Sequence, residues 1–287
     1  MTPDLETFRA LAADHDRIVV VDEMHGDLDM ETPISLFWKL RTGGWSFLLE
    51  SVEGGERWAR YTCMGSEPRA VYQVRGEQIT VRRPGEDEVH HRSSDPLGWI
   101  AGRLRPESTW TPNDMPRLFG GMVGMVSYDA VRHMETLKEV HQDTGDLPDL
   151  WFMETALTLV WDNLRHRASL VYLAHVDSPN DIDAVYGTAQ EAMATARDRL
   201  KRPRPALPRA PASYDAVPLP SIDDDAFAAA VTEAKTFVAS GDVIQVVLSR
   251  RFTVPRVGGH PFAVYRALRH LNPSPYMFYL EMEDTTL

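Results

Sequence analysis

The chain has 287 residues, 43% of them hydrophobic and 25% charged, the balance of a globular protein with one large domain or two ordinary ones rather than of a disordered chain. Its formal charge of −12 argues against broad electrostatic binding to nucleic acid, whose phosphates want Lys and Arg. No run approaches the ~18 consecutive apolar residues of a membrane span. A single cysteine, Cys63, excludes an intramolecular disulfide. Asp4, Glu6, Asp14 and Asp16 fall where a signal peptide would be basic or apolar, and the expectation is a cytoplasmic protein.

Thr32-Pro33 is a cap and first-turn pair opening a short helix with Ile34, Leu36, Phe37 and Leu40 on its apolar side. Ser46–Val52 reads as a buried strand. Ala70–Arg75 and Gln78–Arg83 alternate around Gly76-Glu77, a hairpin signal. Asp95-Pro96 caps a helix carrying Leu97, Ile100, Ala101 and Leu104. The glycine-rich run Gly120–Tyr128 predicts a core strand that another backbone approaches closely. Thr155–Trp161 and Ala168–His175 form a further strand pair joined through Asp162-Asn163. Asn180–Leu200 is an amphipathic helix with Ile182, Val185, Ala189, Met193, Ala196 and Leu200 on one face. Strands outnumber helices and neighbouring strands look antiparallel. That predicts an α+β fold with large, mostly antiparallel sheets and packed helices, not a doubly wound parallel sheet.

The stretch 201–220 holds six prolines and reads as a linker between an N-terminal region, 1–200, and the start of a second domain, 221–287. Beyond it Ser221 can cap a helix whose first turn holds Asp223, Asp224 and Asp225, and Gly241 stops that helix. Val243–Val254 predicts a strand rich in β-branched residues. Pro261 opens another helix, Asn272-Pro273-Ser274-Pro275 breaks it, and Tyr276–Met282 is a final strand. Two helices and two strands cannot cover both faces of a sheet, and so small a domain is marginal alone. The expectation is an incomplete second lobe, from a fragment or a truncated coding sequence.

The chain lacks the His-Glu-x-x-His, Walker and Gly-x-Ser-x-Gly patterns. The glycines of Gly120–Gly124 fail the dinucleotide spacing and read as packing, His90-His91 as solvated surface, and Cys63 as a small core hydrophobe. Two segments stand apart. In Leu48-Leu49-Glu50-Ser51 a carboxylate ends an apolar strand, which is costly without a partner. It is either an exposed strand end, a structural pair with an arginine such as Arg57 or Arg60, or a ligand contact. In Asn272–Phe278 two prolines hold the backbone extended ahead of Tyr276 and Met277. That is either a rigid helix-to-strand connection or a binding hook.

Four segments, Leu48–Pro68, Gly120–Tyr128, Gly241–Phe252 and Asn272–Leu280, in this order and spacing, resemble component I of anthranilate synthase, in the chorismate-utilising enzyme group. The resemblance implies a two-lobed fold with large sheets, with residues 1–200 regulatory and 221–287 opening the chorismate-binding catalytic domain. It implies conversion of chorismate and ammonia to anthranilate and pyruvate with Mg²⁺. A glutamine amidotransferase subunit would supply the ammonia, and tryptophan would inhibit away from the active site. It implies inhibitor-site roles for Glu50, Ser51, Pro275, Tyr276 and Met277. A free amino acid brings an ammonium that wants a carboxylate and a ring that wants flat or polarizable contact, which these residue types provide. Gln245, near the active site at most, stands where water-adding relatives carry a lysine; glutamine cannot act as a base near neutral pH, which favours ammonia as nucleophile. The family's catalytic histidine and Mg²⁺-binding glutamates correspond to positions beyond Leu287. The expectation is therefore no catalytic or metal residue in this chain and no activity of the chain alone. The rival readings are aminodeoxychorismate synthase component I and a non-catalytic tryptophan- or partner-binding protein.

Overall fold

Four consecutive residues, Ile18 to Val21, are all β-branched, so they are stiff at χ1 and favour extended backbone. In the computed structural model they form the centre of strand β1 (Arg17–Met24). The structure describes residues 1–24, 26, 28–51, 60–104, 108–113, 115, 118–137, 147–209, 216–255 and 259–287. The further strands are β2 (Trp45–Glu50), β3 (Tyr61–Ser66), β4 (Ala70–Arg75), β5 (Gln78–Arg82), β6 (Val89–Arg92), β7 (Thr109–Trp110), β8 (Gly121–Val126), β9 (Leu150–Thr155), β10 (Leu157–Asp162) and β11 (Arg167–His175). The short pair β12 (Leu219–Pro220) and β13 (Phe252–Thr253) follows, then β14 (Met277–Met282) and β15 (Thr285–Thr286). The helices are α1 (Leu5–Leu11), α2 (Pro33–Leu40), α3 (Pro96–Arg103), α4 (Ile182–Lys201), α5 (Asp224–Ser240) and α6 (Pro261–Leu271).

The chain divides into two compact units. The first is Met1–Leu207 with Tyr265–Leu287, and the second is Pro208–Val264. The first unit holds an eight-stranded sheet, order β15-β14-β2-β3-β10-β11-β1-β7, and a five-stranded sheet, order β6-β5-β4-β9-β8. Among the described ladders only β1·β7 is parallel, so the chain is an α+β protein with large, mostly antiparallel sheets. Only Ala156 separates β9 from β10, so the chain steps there from one sheet to the other.

The two sheets share one core. Val19 and Val21, Phe47, Val71, Met153 and Leu280 come from both and pack in one buried cluster. Trp45 and Trp151 meet edge to face across it, centroids 5.3 Å apart. Side chains alternate along a strand, so Ile18 and Val20, also fully buried, face the opposite side of β1. There α1, α2 and α4 cover the eight-stranded sheet. The five-stranded sheet buries its outer face against α3 through Tyr72, Val74, Ile79, Ile100 and Leu97.

Local sequence explains the helix ends. Asp4, Thr32 and Asp95 accept hydrogen bonds from the first-turn amides of α1, α2 and α3, with Pro33 and Pro96 at the first helical position. Asp223 caps α5 by accepting from the Ala226 amide at 2.7 Å. Ser221, the expected cap, instead accepts from the Arg251 amide. Gly241 ends α5 in the left-handed region, φ +81°, a conformation that favours glycine. On α4 the buried face is Tyr186, Ala189, Met193, Ala196 and Leu200; Tyr186 takes the place expected for Val185, which is half-buried.

Four strand expectations change. Thr155–Trp161 becomes β10 from Leu157 to Asp162, with Thr155 ending β9 in the other sheet. Ser46–Val52 becomes Trp45–Glu50, and Val52 lies outside the described residues. Gly120–Tyr128 becomes β8 at the edge of the five-stranded sheet, with Val123 its buried side chain. The close backbone approach is there: a Cβ on Gly124 would lie 1.9 Å from the Trp151 carbonyl oxygen and 2.7 Å from Phe152 Cα. Val243–Val254 pairs only at Phe252–Thr253, with Leu219–Pro220. A strand is defined by its ladder, and among the described residues 243–250 have no neighbouring strand.

Cys63 is a buried core residue whose thiol burial pushes up to about 12, which makes it inert. His175, on β11, is half-buried, and its imidazole pKa falls to about 3. Desolvation is the main cause, and the Arg69 and Arg17 guanidiniums reinforce it against a weaker pull from Asp16. Glu154 Oε1 lies 3.8 Å from the ring, beyond hydrogen-bond reach.

Gly124→Ala is expected to cost ~2–3 kcal/mol, read from the urea midpoint, because two backbone atoms of β9 block the new methyl. A neutral Gly124→Ala would show that β8 and β9 are not so closely apposed. His175 is neutral in the fold while the unfolded chain binds a proton near the ordinary value. Its contribution is thus complete above that value and is lost as pH falls from about 6.5 toward about 3. The stability gap between wild type and His175→Gln should narrow by about 1 kcal/mol per pH unit below pH ~6.5; a gap constant with pH contradicts this.

Candidate functional site

The ladder between β2 and β14 decides where the two singled-out segments lie. Its register pairs Met277 with Glu50, Tyr279 with Leu48 and Glu281 with Ser46. By alternation these pairs share one face of the sheet, and Leu280 with Phe47 point into the core between the sheets. The acidic strand tip near the N-terminus and the proline-flanked segment near the C-terminus are therefore direct neighbours.

Glu50 is 3% exposed, and a carboxylate so placed needs compensation. It comes from α6. Arg269 donates from Nε to Glu50 Oε2 at 2.7 Å and from Nη2 to Oε1 at 2.8 Å. The Tyr265 hydroxyl donates to Oε2 at 2.9 Å. Tyr265 and Arg269 are four residues apart, about one turn, so they meet the same target. Burial first and Glu50 second push the Tyr265 phenol up, so it stays a donor; the hydrogen bond to Glu50 raises Arg269 further.

The bland alternative for Glu50, an ion pair, is present, but neither Arg57 nor Arg60 makes it. Arg60 pairs with Asp162 at 2.9 Å, and Arg57 lies outside the described residues. The partner is Arg269, 219 positions away in sequence. The signal for it in the sequence is Tyr265 and Arg269 at helical spacing just before Asn272.

A second clamp closes the other end of β14. Arg41 donates twice to Glu281, both at 2.9 Å, and Ser46 and Tyr279 donate at 2.6 and 2.9 Å. Burial opposes ionisation there, but these donors hold Glu281 below the usual carboxylate range. Tyr279 also packs between Tyr265 and Phe37, centroids 5.6 and 5.8 Å away.

The remaining residues divide. Met277 is buried beside Glu50, Ser51 is half-buried, and Pro275 and Tyr276 are exposed, Tyr276 by 69%. Gln245 lies in the second unit, exposed, in the stretch without a ladder. The arrangement can bind charge of both signs. A carboxylate offers about four lone-pair sites and a guanidinium about five N–H groups, and the hydrogen bonds among Glu50, Arg269 and Tyr265 leave capacity on the carboxylate and on the guanidinium. Among the described residues no group of three or more His, Cys, Asp and Glu side chains could hold a metal ion. No step is derived through the Mg²⁺ that the resemblance implies, whose ligands it places beyond Leu287. No helix among them is long and apolar enough to cross a membrane.

Replacing Arg269 with Met leaves Glu50 buried without its cation and should cost ~2–3 kcal/mol, below the value for a fully buried pair because Arg269 is partly solvated. Adding Glu50→Gln should recover at least ~1 kcal/mol. Additive losses in urea unfolding would mean that the pair carries no coupling.

The chain is 36% identical to anthranilate synthase component 1 of Acetivibrio thermocellus over 97% of its own length and 56% of the relative's. It is 38% identical to the Thermus thermophilus protein of the same name over 90% and 53%. The chain thus spans about half the length of the curated relatives it matches. The crystal structure of anthranilate synthase component I from Streptococcus pneumoniae superposes with a TM-score of 0.59 at 23% identity, covering 77% of this chain and 47% of that one, and shares its fold. The family model described as chorismate binding enzyme matches residues 46–287, most of the sequence, and the chain belongs to that family.

Proposed function

We propose that the chain serves in component I of an anthranilate synthase, which forms anthranilate and pyruvate from chorismate and ammonia, and that it carries the site where tryptophan inhibits. The observation that carries the reading is the pairing of Glu50 with Met277 in one ladder, next to a family match through residue 287. Tryptophan brings an ammonium, a carboxylate and an indole. Glu50 takes the ammonium alongside its Arg269 bond, Arg269 offers its remaining N–H groups to the carboxylate, and Ser51 adds a hydroxyl. Met277 and the exposed Pro275 and Tyr276 give the ring soft and flat contact. A glutamine amidotransferase subunit supplies the ammonia and the protein works in the cytoplasm; Mg²⁺ belongs to the reading only as the resemblance implies it. Gln245, which is no base, is consistent with ammonia rather than water as nucleophile.

The test is isothermal titration of L-tryptophan into the protein and into Ser51→Phe. Saturable one-to-one binding is expected in the wild type, weakened at least about tenfold, or ~1.4 kcal/mol, in the variant. Equal affinity in both proteins removes Ser51 from the site, and no heat with the wild type removes the inhibitor site from this chain.

A further inference from the structure

At the opposite end of the eight-stranded sheet from Glu50 is a cavity of about 430 Å³, within the size range of small-molecule sites. We propose that it binds a small carboxylate carried on an apolar ring. Its polar wall is Arg17 of β1, Arg103 of α3 and His175 of β11; its apolar wall is Leu104, Phe119 and Leu173. Gly120 and Gly121 form part of the lining, which gives this portion of the glycine run a role beyond strand packing.

The charges select an anion. Among the described lining residues Glu154 is the one carboxylate, and its Oε2 already accepts from the Tyr72 hydroxyl at 2.7 Å. Arg17 is ion-paired with Asp177 at 3.3 Å and lies 3.9 Å from an Asp16 carboxylate oxygen, so Arg103 is the cation that meets an incoming anion, in a chain whose total charge is −12. Arg103 has its guanidinium carbon 3.3 Å above the Trp99 ring. Such stacking fixes the plane and leaves the N–H edge available for a carboxylate. Arg17 spends Nη1 on the Asp16 carbonyl and on Asp177, which leaves further donors. His175 is neutral at physiological pH, so it adds a hydrogen-bonding nitrogen without a second ionisation. A bare inorganic anion would leave Leu104, Phe119 and Leu173 unused; a neutral ring would leave the guanidiniums unused.

The cavity is independent of the proposed tryptophan site. Three strand spacings, roughly 14 Å, separate β2 from β11 in the sheet order. Benzoate is the probe, titrated into the protein by NMR or calorimetry beside benzylamine and inorganic phosphate. Saturable benzoate binding at millimolar concentration is expected, at least about tenfold tighter than either control. Arg103→Ala, a change at an exposed position, should weaken it at least about tenfold and leave L-tryptophan affinity unchanged. Absence of benzoate binding, phosphate binding as tight as benzoate, or an Arg103→Ala protein that binds benzoate like the wild type would each overturn the proposal. Because tryptophan is titrated into the same samples, failure here is separable from failure at Glu50.

Discussion

The ladder between β2 and β14 is the constraint on which the rest of the first unit depends. It joins segments more than two hundred residues apart, Trp45–Glu50 and Met277–Met282. Closing so long a loop is less prohibitive than it looks, because the entropic term grows only logarithmically and each doubling adds ~0.6 kcal/mol. Against that stand six register pairs, burial of Leu280 and Met282 in the core between the sheets, and one arginine clamp at each end. The clamps also fix register. A one-residue slip of β14 would turn Glu281 into the apolar core and Leu280 out of it.

Both clamps have the same design. A carboxylate on the helix-covered face of the sheet accepts a bidentate guanidinium and a tyrosine hydroxyl: Glu50 with Arg269 and Tyr265, Glu281 with Arg41 and Tyr279. The two tyrosine rings then pack on each other, so the polar ends are held by an apolar middle. Such pairs add little net stability over apolar residues of the same size, but breaking one is expensive. Their effect is geometric: they set where β14 begins and how α6 approaches it.

Much of this was legible in the sequence. Caps at Thr32 and Asp95, the hairpin around Gly76, the α4 stripe and the Gly241 stop rest on local physics, and local physics placed them well. The crowding at Gly124 was readable because a glycine inside an apolar strand marks a point where a neighbouring backbone leaves no room for a side chain. What escaped is non-local. β1 is buried on both faces, so Ile18–Val21 shows no alternation to mark it as a strand. Residues 243–250 have strand composition, but composition does not supply a ladder partner. At the candidate site the exceptional residue, Glu50, was visible as a carboxylate ending an apolar strand. Its partner was not, since any of many arginines could have answered it and only the register of β14 singles out Arg269.

The Glu50–Arg269 pair also bears on which ligands the proposed site admits. A simple amine bound at Glu50 would place a second cation about 4 Å from the guanidinium, a repulsion of ~4 kcal/mol at the effective dielectric of a protein surface. A simple acid bound at Arg269 would meet Glu50 in the same way. A free amino acid adds one charge of each sign, so each of its ends can be matched while the pair between Glu50 and Arg269 stays intact. On that proposal the discrimination would be built from an ion pair that the fold needs in any case: the same two side chains that anchor α6 to the end of β2 would set a requirement for a zwitterion, and Met277 beside them a requirement for an apolar side chain.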